Sequence, residues 1–294
     1  MTGPTGVGKS AFSVELAQRL GGEIVGADAF QIYSGLPILT AQPAAALTHR
    51  VPHHLIGVLD PGESCNVARF AAMARQCIVD IQSRGKVPIL TGGTGLYIKA
   101  LTHGLTDLPP VDPELRKIIS DMEPLEALAR LREADADAPD QIDVRNPVRV
   151  RRALEIVLST GKPFSESRGT WKSDGGEFDG ILLTRDRIDL RKRIEENVDA
   201  MFEEGVIEEV RKAREVGPGA SRAIGFREIQ DLIAGRTTAH ACRGDILTAT
   251  RRYAKRQLTW CRHQFHFSVI DLTATLASPM ECALRLVGRT TDTK

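Results

Sequence analysis

Eight residues near the start, Gly3-Pro4-Thr5-Gly6-Val7-Gly8-Lys9-Ser10, constrain this chain more than any other stretch. The pattern G-x-x-x-x-G-K-[ST] needs glycines so that successive backbone N–H groups can turn toward phosphate oxygens. It sets those groups at a helix N-terminus, whose dipole favours negative charge. Lys9 adds a point charge, and Ser10 a hydroxyl able to reach magnesium. Such a loop ordinarily joins a buried central strand to a helix, but only Met1 and Thr2 precede it here. The first core strand is therefore expected to be missing from the chain as it stands. The expectation is that Met1 is a misassigned start, with about ten largely apolar residues upstream. Otherwise the sheet has unpaired edges on both sides of the gap and a poorly anchored loop.

Beyond the loop, Phe12, Leu16, Ala17 and Leu20 recur at helical spacing, and Gly21-Gly22 closes that helix. Strands are expected at 23–28, near 51–60 and at 86–91, with helices over 67–83 and 96–101. This alternation predicts a mostly parallel sheet flanked by helices, as in phosphate-loop NTPases. Between 108 and 179 the pattern changes, with Pro109, Pro110, Pro113, Pro124 and Pro139 punctuating short polar helices and the flexible KSDGG (172–176) as the exit. We read an inserted helical subdomain at 108–179 between two parts of the core, 1–107 and 180–294. The second part begins with a strand at 180–187, continues in helices near 188–215, 225–234 and 245–264, and adds a late strand at 268–271.

Composition narrows the function classes. With 294 residues and 42% apolar content the chain can bury a full core. No run approaches the roughly 18 apolar residues of a membrane span, and no secretory leader is visible, so the cytoplasm is the expected location. Five cysteines without C-x-x-C spacing read as reduced, packed thiols. The pairs His53-His54 and His263/His266 lack a second ligand pair at zinc spacing. Net charge is only +1, so affinity for nucleic acid must come from local clusters: RNPVRVRR (145–152), RDRIDLRKR (185–193) and RRYAKR (251–256). On the last helix Arg251, Lys255 and Arg262 fall on one face, with no acid between Arg251 and Arg262, which favours phosphate contacts. Trp260 offers a ring to stack on a base or to pack inside.

A phosphate-loop ATPase also presents an acid at the end of another core strand. Here the strand VPILT runs into Gly92-Gly93-Thr94, so that acid is absent. Asp28, by contrast, closes its strand on the side where the loop sits. It is a candidate general base beside the phosphates, or a turn or capping aspartate.

DAFQIYSGLPILTAQP (28–43), PHHLIGVLDP (52–61), LTGGTGLYIKAL (90–101), RVRRALEIVLSTGKP (149–163), SRAIGFREI (221–229) and TRRYAKRQLTW (250–260) accompany GPTGVGKS. In order and spacing these resemble the motifs of the bacterial tRNA dimethylallyltransferases, isopentenyl transferases that modify the adenosine 3′ of the anticodon. The resemblance runs from Gly3 to about Arg262. It implies transfer of a dimethylallyl group from its diphosphate to the exocyclic amine of that adenine, with release of diphosphate. It implies the diphosphate on Gly3, Pro4, Thr5, Gly6, Val7, Gly8, Lys9 and Ser10, with Mg2+ at Ser10. Asp28 matches the general base and, with Ala29, Phe30 and Gln31, the stretch that meets the target adenine. Thr94 resembles the family's threonine beside the reacting centre, and Arg116 an arginine of the insert reaching the same channel. Val148, Arg149, Val150, Arg151 and Arg152, then Arg222 and Arg227, then Lys255, Arg256, Gln257, Trp260 and Arg262 match three tRNA-contacting stretches. The partners implied are tRNA and dimethylallyl diphosphate, and a monomer is expected.

The chain departs from the family pattern at several positions. Ala29 replaces the usual serine, Leu39 and Gln42 stand where glycine and lysine are common, and Asp143 and Asn146 lie in a stretch often written H-P-N-D. Gln42 removes a positive charge near the RNA path, so altered tRNA affinity is expected more than altered chemistry. Three alternatives remain open to the sequence: a small-molecule phosphate-loop kinase, an isopentenyl transferase acting on free adenine nucleotides, and a non-catalytic RNA-binding relative.

Overall fold

The helix expected behind the phosphate loop forms as α1 (Lys9–Leu20), opened by Gly8 and closed by Gly21, both in the left-handed region. The computed structural model describes residues 1–104, 111–167, 179–273 and 278–288. The segment 172–176 and Pro109-Pro110 lie outside the described residues. In chain order α1 is followed by β1 (Glu23–Gly26), α2 (Ala45–Thr48), β2 (His53–His54), α3 (Val67–Ser83), β3 (Pro88–Thr91) and α4 (Gly95–Thr102). Next come α5 (Pro113–Asp121), α6 (Pro124–Ala134), α7 (Pro147–Thr160) and α8 (Phe164–Ser167). The chain ends with β4 (Ile181–Thr184), α9 (Arg187–Glu203), α10 (Val206–Lys212), α11 (Phe226–Ile233), α12 (Ala239–Gln264), β5 (Ser268–Asp271) and α13 (Pro279–Gly288). Two compact units result, 1–102 with 175–294, and 103–174.

In the first unit β2-β1-β3 and β4-β5 form parallel ladders. Thr2 sits between them, bridged in parallel to Gly92 on one side and Leu182 on the other. Its N–H donates to Ile181 at 2.8 Å, its carbonyl accepts from Leu183 N–H at 2.8 Å, and its hydroxyl donates to the Gly92 carbonyl at 3.1 Å. One residue thus joins the two ladders, and the phosphate loop leaves directly from it. Side chains then alternate across the sheet, as the pleat requires. Ile24, Ile89 and Leu183 pack with Val14, Leu16 and Ala17 of α1, whereas Val25 and Leu182 pack with Phe70, Ile98 and Ile194 on the other face. Burial on both faces is what a parallel sheet needs.

Three expectations change in detail. The strand foreseen over 51–60 shrinks to His53–His54. The helix foreseen over 188–215 breaks at Gly205 (φ +94°), which starts α10. That foreseen over 245–264 begins earlier, at Thr238, whose hydroxyl accepts the Ala241 N–H.

In the second unit Pro113, Pro124 and Pro147 each stand at the first position of a helix, where the missing N–H would have no partner anyway. Asp112 and Asn146 cap α5 and α7. Ile119, Leu131, Val150, Leu154 and Phe164 form that unit's own core. All five cysteines are free thiols. Among the described residues no helix is long and apolar enough to cross a membrane.

Candidate active site

The site lies where the parallel strands end. Gly3–Ser10 leaves the Thr2 position, Asp28 follows β1, Gly92-Gly93-Thr94 follows β3 and Arg185 follows β4. Ligands gather at this edge of open α/β sheets, because the loops there are free to vary on a fixed frame. Gly6 (φ +79°) and Gly8 (φ +104°) hold conformations that a side chain strains. Lys9 Nζ donates to the Gly3 and Pro4 carbonyls at 3.0 Å each. Arg193 Nε donates to Gly6 O at 3.0 Å and Arg185 Nε to Val7 O at 2.7 Å, while Arg185 also pairs with Asp189 at 2.7 Å. Four loop carbonyls are thus held by cations, which fixes the loop and surrounds it with positive charge. Burial lowers the Lys9 pKa to about 8, an effect partly opposed by the Asp28 carboxylate.

Asp28 accepts the Phe30 N–H at 3.0 Å and the Gln31 N–H at 3.4 Å on one oxygen, Oδ1. That turn orients the carboxylate and leaves Oδ2 beside Gly93. Thr94 Oγ1 accepts the Ala29 N–H at 2.9 Å, so the loop after β3 braces the loop after β1. The Gln31 amide donates to Ala41 O at 2.7 Å and to Thr40 O at 3.3 Å. Ala29 and Phe30 are partly buried against the core. The Gln42 amide is engaged inside the loop, donating to the Gln31 and Tyr33 carbonyls at 3.0 and 2.7 Å. It is a brace of the loop that carries Gln31. Leu39 is buried, its N–H held by Glu209 at 2.7 Å.

Two of the glycines after β3, Gly93 and Gly95, are explained by α12. A Cβ on Gly93 would meet the Gln257 amide at 2.2 Å, and one on Gly95 would meet the Trp260 ring at 2.1 Å. Gln257, expected on the tRNA face, is therefore corrected: it is 6% exposed. Its Oε1 accepts the Thr5 N–H at 2.8 Å and its Nε2 donates to Gly93 O at 3.0 Å. Trp260 packs on Gly95 and edge-on against Phe265, with centroids 5.5 Å apart. Arg251 likewise turns from the expected phosphate-facing row, pairing with Glu195 of α9 at 3.1 Å. Lys255, Arg256 and Arg262 are exposed on α12, as are Arg222 and Arg227 around the start of α11.

Three residues of this site were not singled out from sequence. Tyr253 stands one helical turn before Gln257 and interacts with Thr94 and Gln257. Burial, then the Asp28 charge, raises its phenol above the usual range. The stripe Ile246, Tyr253, Gln257, Cys261 at helical spacing was the available signal. Arg185 and Arg193 were visible only as members of a basic run. A cavity of about 500 Å3 unites Thr5, Lys9, Ser10, Asp28, Gln31, Thr91, Arg193 and Tyr253. No group of three or more His, Cys, Asp or Glu able to hold a metal occurs among the described residues.

The remaining expected residues belong to the helical unit. Arg116 of α5 pairs with Glu155 at 3.8 Å. On α7, Val148 and Arg149 are exposed, and Arg152 pairs with Glu155 at 2.8 Å. Val150 is corrected: it is 1% exposed, in the unit's core. Arg151 donates to the Met122 carbonyl at 2.6 Å, bracing α7.

Residues 31–264 match the family model described as IPP transferase, and residues 1–51 that described as isopentenyl transferase. A tRNA dimethylallyltransferase 1 of Citrifermentans bemidjiense is 44% identical over 264 residues, covering 88% of this chain and 86% of that protein. A tRNA dimethylallyltransferase of Geobacter sulfurreducens is 39% identical over 298 residues, covering 97% and 95%. Among solved structures, the full-length tRNA isopentenylpyrophosphate transferase of Bacillus halodurans aligns with a TM-score of 0.71 at 36% identity, covering 99% of this chain and 95% of that one. A eukaryotic dimethylallyltransferase acting on tRNA aligns with a TM-score of 0.82 at 28% identity, covering 99% and 77%.

Proposed function

This chain belongs to the IPP transferase family, and from that premise we propose that it transfers a dimethylallyl group from dimethylallyl diphosphate to the exocyclic amine of the adenosine 3′ of the anticodon in tRNA. It is a tRNA-modifying prenyltransferase, as its relatives are named. The observation that carries the assignment of roles is that Asp28 and the phosphate loop line one cavity.

Breaking the allylic C–O bond leaves positive charge on carbon and puts the electron pair on a diphosphate oxygen. The loop amides, Lys9 and Arg193 are placed to stabilise that oxygen. The adenine amine is a weak nucleophile until it loses a proton. Asp28 Oδ2, the oxygen the Phe30 and Gln31 amides leave open, takes that proton as nitrogen attacks carbon. Thr94 keeps the Asp28 turn in place through the Ala29 N–H. The target base must leave its stack to enter.

The residues suit magnesium. No protein cage of acids is present among the described residues, and Ser10, Asp28 and the loop share the cavity. That is how a cation held mainly by substrate phosphates and water is accommodated. Magnesium would neutralise charge on the departing diphosphate, with Ser10 its protein ligand. A cytoplasmic monomer fits this reading.

The test is mass analysis of tRNA after incubation with the purified chain and dimethylallyl diphosphate, which should show the net gain of one isoprene unit as a dimethylallyl group replaces a hydrogen. D28N should cut the single-turnover rate at least about a hundredfold, while pyrophosphate and tRNA still bind. An unchanged rate would remove Asp28 from the role of base.

A further inference from the structure

Thr91 ends β3, paired in register with Gly26 of β1, and its carbonyl accepts the Ala27 N–H at 2.7 Å. It stands two residues beyond Ile89, so its side chain projects to the same face, the one that packs on α1. At the loop end of that face it lines the cavity together with Gly8, Lys9, Ser10 and Asp28. Its hydroxyl oxygen is buried and has no hydrogen-bond partner among the described residues.

A buried hydroxyl without a partner weakens a fold, whereas a valine of the same shape would fill the space without that penalty. The position is also the one at which phosphate-loop enzymes set an acid to orient the hydration shell of magnesium. Here the acid is absent, and a residue whose neutral hydroxyl has no partner among the described residues lines the same cavity.

We propose that Thr91 is a ligand-positioning residue whose hydroxyl hydrogen-bonds an oxygen of the hydrated magnesium diphosphate held by the loop. The proposal rests on the diphosphate reading of Gly3–Ser10. The hydroxyl donates to a phosphate oxygen or accepts from a metal-bound water, and it supplies no charge. It therefore fixes the orientation of the leaving group without competing with Asp28 for protons or with the diphosphate for magnesium.

Titration calorimetry of the full chain with inorganic pyrophosphate, with and without Mg2+, tests this. T91V should bind magnesium pyrophosphate about three- to tenfold more weakly, yet melt no lower than wild type. T91S, which restores the hydroxyl, should bind as wild type does. A loss seen only with Mg2+ assigns the contact to a metal-bound water, and a loss in both arms assigns it to a phosphate oxygen. If wild type binds and T91V binds equally well, the proposal is wrong while the diphosphate reading stands. If wild type itself fails to bind magnesium pyrophosphate, the diphosphate reading falls and takes this proposal with it.

Discussion

The backbone N–H of Thr5 donates to Oε1 of Gln257 at 2.8 Å, so one amide of the phosphate loop is tied to a helix more than 250 residues away in sequence. Through its other end Gln257 holds Gly93 at 3.0 Å. The loop after Thr2 and the loop after β3 are thereby set at a fixed spacing.

Replacing Gln257 by leucine should strand the Thr5 N–H and the Gly93 carbonyl, a loss of about 1–3 kcal/mol in unfolding free energy. The donor KM should rise and kcat fall, because the loop loses its brace. Affinity for tRNA, measured by filter binding with catalysis blocked, should stay within about twofold, since the side chain does not reach the surface. A selective loss of tRNA affinity would return Gln257 to the RNA face.

Lys9 sets a pH dependence. Its pKa is lowered to about 8 by burial, so the free enzyme loses this cation as pH rises through 8. Pyrophosphate affinity should fall roughly tenfold between pH 7 and pH 9. Calorimetry in two buffers of different ionisation enthalpy should register proton uptake on binding near pH 8. For stability the sign is opposite. The folded pKa lies below that of the unfolded chain, so the protonated form opposes folding below pH 8, and that penalty lifts as pH rises toward 10.5. Lys9→Met should accordingly melt higher at pH 7 while failing to bind pyrophosphate.

At the opposite end of β1, Glu23 meets three cations. Its carboxylate pairs with Arg84, with Lys86 at 2.8 Å and with His54 at 2.8 Å, and its side chain is 2% exposed. The Arg84 hydrogen bond, foremost, holds it well below the usual carboxylate range. A depressed carboxylate stabilises the fold above its unfolded pKa, near 4.5, and that contribution is lost as pH falls below it. Glu23→Gln should lower the melting temperature by several degrees at pH 7 and by less near pH 3, because wild type has by then lost part of the same contribution. Equal effects at both pH values would show that packing, and not charge, holds this corner.

Exposed Lys255, Arg256 and Arg262 separate surface from core on α12. Each changed to alanine should weaken tRNA binding across tRNA sequences and reduce the slope of log affinity against log salt by about one. Arg251→Ala should leave that slope unchanged, because its charge is already met by Glu195.

The phosphate loop, the helix behind it and the acid at position 28 were legible in the sequence because each is local. Glycines that allow positive φ, a lysine and a hydroxyl at fixed offsets, and an acid closing a short apolar run are properties of neighbouring residues. The alternation of apolar runs with helical spacing likewise pointed to a parallel sheet, and the prolines of the insert marked helix starts. The helical break at Gly205 was missed because the apolar spacing continues across it.

What the chain could not reveal locally was the fate of its polar residues. Gln257 sits among Arg and Lys and reads as another surface group. It is buried because Thr5 and Gly93, distant in sequence, supply the partners that let an amide leave water. Val150, Arg151 and Arg251 were sorted into core, brace and ion pair by Leu154, Met122 and Glu195, none of which a linear motif identifies. Thr2 joined two half-sheets because β3 and β4 each offered it an unpaired edge. The sequence by itself thus determined which chemical groups are present and which local shapes they take. The tertiary structure decided which of them face the cavity, since burial of a polar atom depends on partners brought together only by the fold.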